Sequence, residues 1–277
     1  RRMGPRIFGI IALHAPVVAV IRRGPTDWMH VSRWDLETPV YDPAGWLRGT
    51  IYPQRCDLSP DGRWFTYFAL KASAEWELGA TYIAISRLPW LTVLAAWGIG
   101  NTWTRGMQFV QDRSVQDVDE PDLGDLAAVR ERYGLRLTRA DSFAVERRRG
   151  WTETAETPPR APDDAWDERR GDRIVMERPR PNASGSDRLT VRGTYAAIRE
   201  LHGRRTDLRY ELRTGGLTRP LEHVQWAEWD PDGRLLVATD DGRLQIRDVV
   251  DGSVQWEANE GALGPDPTPP PAEASIW

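Results

Sequence analysis

Short apolar runs alternate along this chain with polar clusters rich in Pro, Asp and Gly, and most runs are too short and too β-branched for helices. Residues 7–13 and 17–22 read as the first two strands. Val17, Val18, Val20 and Ile21 favour extended backbone, and Pro16 interrupts any helix through the run. A turn at Gly24-Pro25-Thr26-Asp27 leads to residues 28–34, a strand with Trp28, His30, Ser32 and Trp34 on one face. A second turn cluster, Tyr41-Asp42-Pro43-Ala44-Gly45, precedes four strand-like runs at 51–58, 64–70, 82–86 and 90–97. Residues 107–110 and 113–118 suggest a further hairpin around Gln111-Asp112.

The pattern then loosens. Leu126, Val129 and Tyr133 share one side of a short helix within 123–133, and Gly134 follows as a stop. Residues 135–137, 143–145, 174–176, 189–191 and 208–212 read as short strands, while 194–201 fits either a strand or a short helix. Residues 152–171 carry Pro, Glu, Asp and Arg with little to bury, which predicts a polar insertion. The last series is explicit. Strands at 224–229, 235–239, 244–249 and 254–256 are separated by Asp-Gly turns. Residues 264–271 end the fold, and 264–277 are expected as a Pro-rich mobile tail, with Ile276 and Trp277 able to dock.

One phrase occurs twice. Ser59-Pro60-Asp61-Gly62-Arg63 and Asp230-Pro231-Asp232-Gly233-Arg234 each sit between two apolar stretches. Pro presets φ, Asp bonds the local backbone and Gly accepts positive φ, so each is a tight reversal between antiparallel strands. The copies lie 171 residues apart, near four periods of roughly 43, the spacing of propeller blades. At these residues the chain resembles WD40 and related bacterial β-propeller repeats, in which an Asp-Gly turn joins the inner strands of a blade. Asp240-Asp241-Gly242-Arg243 through Asp248 looks like the next two strands, although Arg247-Asp248 stands where such repeats carry Trp-Asp, and no Gly-His pair occurs. The block from Trp46 to Trp103 is similar to bacterial proteins of this kind. The resemblance implies an all-β fold, a propeller-like array of four-stranded antiparallel sheets with about five or six blades. Residues 1–263 would form that single domain.

The 277 residues suffice for a full core, and a net charge of -4 gives no overall bias towards nucleic acid or acidic substrates. Lys71 is the only lysine, and Trp is the commonest aromatic, a composition in keeping with a GC-rich bacterial genome. Charge is uneven: residues 173–219 hold 11 arginines against 5 acids, and residues 220–277 hold 3 against 12. Oppositely charged sectors suit steering or association. Only Tyr195 and Tyr210 interleave the basic span, so nucleic-acid binding is not expected. The apolar run near the N-terminus is too short to cross a membrane and lacks a small-residue cleavage site, which predicts a cytoplasmic protein.

Catalytic signatures are missing. His14, His30, His202 and His223 lack metal-ligand spacing, and no metal or cofactor is expected. No Gly-x-Ser-x-Gly elbow or phosphate loop occurs. Asp117 and Asp119 open like a calcium loop, but Pro121 holds the next ligand position. Cys56, the single cysteine, reads as an inert buried thiol. The tryptophans are the better clue, because Trp and Arg dominate interface hot spots. Trp90 and Trp97 read as residues packed between sheets. Trp103, Arg105 and Trp28 are the candidate contact residues, while Pro60, Asp61, Gly62, Pro231, Asp232, Gly233, Asp241 and Gly242 are structural turn formers. The expected function is a non-catalytic scaffold or regulatory subunit that binds a protein partner. A propeller-type glycoside hydrolase, or a small-ligand sensor in the same funnel, remains open.

Overall fold

The structure, a computed structural model, describes residues 5–23, 27–71, 77–140, 143–157, 173–183, 185–194, 208–266 and 268–277. Strands make up 49% and helices 9%, in antiparallel sheets, which sets the class as all-β. The turn expected at 24–26, Trp166, residues 158–171 of the expected insertion and nearly all of 194–201 lie outside the described residues. The chain forms two compact units.

The first unit comprises residues 9–145 and 264–277. Its strands are β1 (Arg6–Ile11, which begins just before the unit), β2 (Val17–Arg23), β3 (Trp28–Asp35), β4 (Val40–Ile51), β5 (Asp57–Leu58), β6 (Trp64–Lys71), β7 (Thr81–Arg87), β8 (Val93–Gly98), β9 (Met107–Val110), β10 (Leu123–Gly124) and β11 (Arg136–Arg139). Helix α1 spans Ala127–Tyr133 and α2 spans Ala144–Arg148. The main sheet runs β1-β2-β3-β4-β6-β7-β8-β10, with β5 beside β6, and β9 pairs with β11 in a separate ribbon.

Two meanders are coupled through β4. Its residues Val40 to Arg48 pair with β3, and Gly49, Thr50 and Ile51 then pair with β6. The partner change falls at Gly49, where a Cβ would lie 2.6 Å from Leu70 O. The turn expected at 41–45 is therefore strand interior. Pro43 lies opposite Ser32, where the register shifts at a bulge between Val31 and Ser32, a place where a missing N–H is tolerated.

Strand β6 is buried on both faces, which explains its unbroken Trp64-Phe65-Thr66-Tyr67-Phe68-Ala69 run. Trp64 and Phe68 face a core that includes Ile83, Ile85, Trp97, Phe109, Leu126, Val129 and Leu137. This core corrects two expectations. Residues 113–118 are not the partner of β9; β11 is, because Leu137 sits opposite Phe109, whereas Asp112 accepts the Ser114 N–H (2.8 Å) and turns the chain. Residues 143–145 are not a strand either, since Phe143 (φ +57) leads into α2, giving two short helices where one was expected. The tail also docks. Ala274 is buried, Arg87 Nη1 donates to Glu273 O (3.3 Å), and the Trp277 ring meets Trp64 edge-on at 5.3 Å.

The second unit contains the described residues of 1–8 and 146–263. Strands β12 (Thr152–Glu153), β13 (Arg173–Pro179), β14 (Arg188–Thr194), β15 (Arg209–Thr214) and β16 (Leu217–Pro220) form one meander in chain order. Thr152 and Glu153 thus begin the expected insertion as a strand. A second meander follows in chain order: β17 (Val224–Trp229), β18 (Leu235–Thr239), β19 (Arg243–Arg247) and β20 (Val254–Asn259). A buried polar knot joins the two sheets. Arg178 of β13 pairs with Glu228 of β17, Trp151 Nε1 donates to Glu228 Oε2 (2.8 Å), and Trp229 Nε1 donates to Arg178 O (3.2 Å).

Three turns share one construction. In Ser59-Pro60-Asp61-Gly62-Arg63 the Gly62 N–H donates to Ser59 O (2.9 Å), and Ser59 Oγ accepts the Arg63 and Trp64 N–H groups (3.1 and 2.9 Å). In Asp230-Pro231-Asp232-Gly233-Arg234 the Gly233 N–H donates to Asp230 O (3.0 Å), and Asp230 Oδ1 accepts the Arg234 N–H (2.7 Å). Thr239-Asp240-Asp241-Gly242-Arg243 repeats the scheme, with Gly242 N–H to Thr239 O (3.0 Å) and Arg243 N–H to Thr239 Oγ1 (3.0 Å). The glycines sit at φ +72, +79 and +94, where a Cβ is strained.

Candidate interaction surface

Between β8 and β9, residues 99–106 form a loop that carries Trp103 and Arg105. Short-range side-chain bonds set its path. Asn101 Oδ1 accepts the Trp103 N–H (2.9 Å), Asn101 Nδ2 donates to Ile99 O (3.2 Å), and Thr104 Oγ1 accepts the Gly106 N–H (3.1 Å). Arg55 clamps the loop from outside: its Nη1 donates to Thr102 O (2.6 Å), and its guanidinium lies over the Tyr52 and Phe68 rings at 4.7 and 5.1 Å. At the far end Gly106 (φ +86) presses on the Arg55 backbone, where a Cβ would stand 2.4 Å from Arg55 O. Ala140 N–H closes on Gly106 O (3.0 Å).

These bonds leave the Trp103 side chain outside. It is 76% exposed, and Arg105 is exposed beside it. A large ring held in water by an ordered loop forgoes ~2 kcal/mol or more of burial, which a structural role does not explain. Trp28 belongs elsewhere. It opens β3 half-buried, opposite Arg48 of β4, and β4, β6 and β7 separate its strand from β8. Trp97 is buried in the core and donates from Nε1 to Asp119 O (2.9 Å).

Arg55 was not foreseen as part of this surface. Its sequence signal was faint, one arginine beside Cys56, and only the fold brings it to residue 102. Cys56 itself lies below, buried, its Sγ donating to Tyr52 O (3.2 Å). Burial above all, with the nearby Asp57 carboxylate adding, pushes the thiol well above its ordinary range. A second unforeseen constellation crosses β2, β3 and β4. Arg22, His30 and Trp46 are register neighbours; the His30 ring stacks on Trp46 at 4.3 Å, and the Arg22 guanidinium lies 5.8 Å from the same indole. Arg22 and His30 are buried.

The buried acids have structural partners. Asp57 Oδ2 accepts the Phe109 N–H (2.9 Å), Glu228 is shared by Arg178 and Trp151, and Asp230 Oδ2 pairs with Arg234 Nε (2.5 Å). The half-buried Asp117 is likewise held, by Arg130 Nε (3.0 Å) and by the Leu137 N–H (3.2 Å). Among the described residues no group of three or more His, Cys, Asp or Glu side chains is placed to hold a metal ion. His223 precedes β17, exposed, with φ +59, its Nδ1 3.1 Å from Asp240 Oδ2.

No protein-family model and no curated protein sequence matches the chain. Among solved structures it is similar to an uncharacterized protein of Listeria monocytogenes EGD-e, at 11% identity and a TM-score of 0.29, over 92% of this chain and 84% of that one. The functional reading rests on this chain's own residues.

Proposed function

We propose that the chain is a β-propeller-like, non-catalytic scaffold of a bacterial cytoplasm that binds a protein partner through Trp103, with Arg105 beside it. The carrying observation is the exposed Trp103 indole on a loop fastened by Arg55, Asn101 and Gly106. A ring already ordered before binding loses little entropy on docking, and Trp with Arg is the usual composition of an interface hot spot. Support for the propeller comes from the four-stranded meander β17–β20, the five-stranded antiparallel meander β12–β16, and the three like-built Asp-Gly turns. The engagement of Asp57, Glu228 and Asp230 with backbone or arginine favours a scaffold over a carbohydrate-cleaving enzyme.

Immobilised wild-type protein and the Trp103→Ala variant, exposed in parallel to a bacterial lysate, test the proposal. A partner retained by the wild type should be lost by the variant, with an affinity drop of about 30-fold on the purified pair, equivalent to roughly 2 kcal/mol. The Tm should be unchanged, because Trp103 is exposed. Identical partner sets on both resins would refute the assignment.

A further inference from the structure

In the second unit, Arg219 of β16 reaches the turn between β19 and β20, which begins just after Arg247, and among the described residues neither guanidinium is ion-paired to an acid. Arg219 Nη2 donates to Val249 O (2.9 Å), and its Nε is buried without a hydrogen-bond partner among the described residues. Among the described residues, Arg247 Nε donates only to Gln245 Oε1 (2.8 Å). By contrast Arg178, Arg180, Arg188, Arg192, Arg234 and Arg243 of the same unit each have a carboxylate partner.

The acids nearest this pair are hydrogen-bonded to other groups, and Asp251, held low first by its Ser253 bonds, also lies close enough to Arg219 for the two charges to interact. Glu257 pairs with Arg243 and accepts from Gln245 Nε2 (2.6 Å), Asp248 Oδ1 accepts the Val250 and Asp251 N–H groups (2.7 and 3.1 Å), and Asp251 Oδ1 accepts the Ser253 N–H (2.8 Å). Burial, and then the neighbouring Arg219 charge, hold the Arg247 guanidinium below its ordinary range, with Glu257 acting the other way. Two half-buried like charges are an unfavourable arrangement that one added carboxylate would reverse.

Three exposed apolar residues neighbour the pair in sequence or register. Leu217 lies two positions before Arg219 on β16, Val250 follows the carbonyl that holds Arg219, and Val254 is the register partner of Arg247. Leu217 is 78% exposed, Val250 77% and Val254 49%. Gly252 lies beside the Arg219 guanidinium, a Cβ there standing 3.7 Å from Arg219 Nη2. The geometry points to a docking site for an acidic peptide segment of a partner protein, with one carboxylate between Arg219 and Arg247 and an adjoining aliphatic side chain against Leu217 and Val254. Charge complementarity selects the carboxylate, which a guanidinium fork can hold through two bonds. The aliphatic rim selects a peptide over a bare inorganic anion.

Fluorescence anisotropy of a labelled Leu-Glu-Leu-Glu peptide at low salt tests this, with Leu-Gln-Leu-Gln as control and inorganic phosphate as competitor. The Glu peptide should bind and the Gln peptide should not. Arg219→Gln and Arg247→Gln should each weaken binding about tenfold or more, and Leu217→Ser severalfold. Circular dichroism verifies folding; should a Gln variant unfold, Arg247→Lys, which keeps the charge but not the fork, should still weaken binding. No binding to the wild type, or equal binding by folded arginine variants, would overturn the site. Equal competition by phosphate together with an unchanged Leu217→Ser variant would replace the peptide with a small oxyanion.

Discussion

Arg178 and Glu228 form a buried ion pair between strands of two different sheets, and Glu228 completes its coordination with the Trp151 indole N–H and the Trp229 backbone N–H. Removing one partner of such a pair leaves the other charge desolvated, which costs ~3–5 kcal/mol. Glu228→Ala should therefore lower stability by about that amount in a denaturant titration. Glu228→Gln keeps one acceptor oxygen, enough for one of the two tryptophan N–H groups, but loses the second acceptor and the charge, and should fall between. The Trp151 emission should shift with each variant. A Glu228→Ala protein as stable as the wild type would show that the pair contributes no net stability.

Ser59, Asp230 and Thr239 perform one task with three chemistries, accepting the N–H four residues on while their carbonyls receive the glycine N–H. Asp230 adds a pairing with Arg234 Nε. Asp230→Ser should retain the backbone bond and lose only the Arg234 contact, whereas Asp230→Ala should lose both. Thermal denaturation should rank them in that order, with Ser59→Ala costing ~1 kcal/mol. Gly233→Ala should cost more than Ser59→Ala, because the added Cβ meets Pro181 O at 2.9 Å as well as a left-handed φ. An inverted order would mean that the side-chain acceptor, not the glycine, sets the turn.

These turns were legible because their chemistry is local: four consecutive residues determine whether the chain can reverse. The strands between them were legible from alternation and β-branching. What could not be read was partner choice. Residues 107–110 have the same apolar pattern whether they pair with 113–118 or with 136–139, and only the burial of Leu137 against Phe109 decides. Pro43 and Gly45 look like turn residues until the bulge opposite Ser32 accommodates them within a strand. The tail looked mobile because its Pro content hid the contribution of Ala274 and Trp277. At the candidate surface, Trp103 and Arg105 were visible as residue types in a loop. Arg55, which fixes that loop, acts across 47 sequence positions and leaves no local pattern.

Cys56 should resist thiol reagents in the folded protein. It is buried, its Sγ donates to Tyr52 O, and burial raises its pKa well above the ordinary value, so almost no thiolate exists near neutrality. An aromatic disulfide reagent at about pH 8 should label the native protein far more slowly than the denatured one. Arg55→Ala should speed labelling by loosening the shelf above the thiol. Immediate stoichiometric labelling of native protein would show that residues 52–56 open readily.

The buried phenols set the alkaline limit of stability. Burial pushes Tyr82 up to about 12 from an ordinary 10.0. Burial first and foremost raises Tyr67 and Tyr210 as well, with Tyr82 adding at Tyr67 and Glu228 at Tyr210. Below the unfolded value, both states hold the proton and stability does not depend on these groups. As pH rises past it, the unfolded chain releases protons that the folded chain keeps, so the unfolded state gains. Stability should fall from about pH 10 by roughly 1.4 kcal/mol per pH unit for each of the three tyrosines. The Tyr82 contribution should level off near 12 while the other two persist. Denaturant midpoints across this range, with phenolate absorbance followed in parallel, measure both consequences. Tyr82→Phe should reduce the slope by about one proton's worth. Early and complete ionisation of all seven tyrosines in the native protein would contradict the packing of β6 against β7.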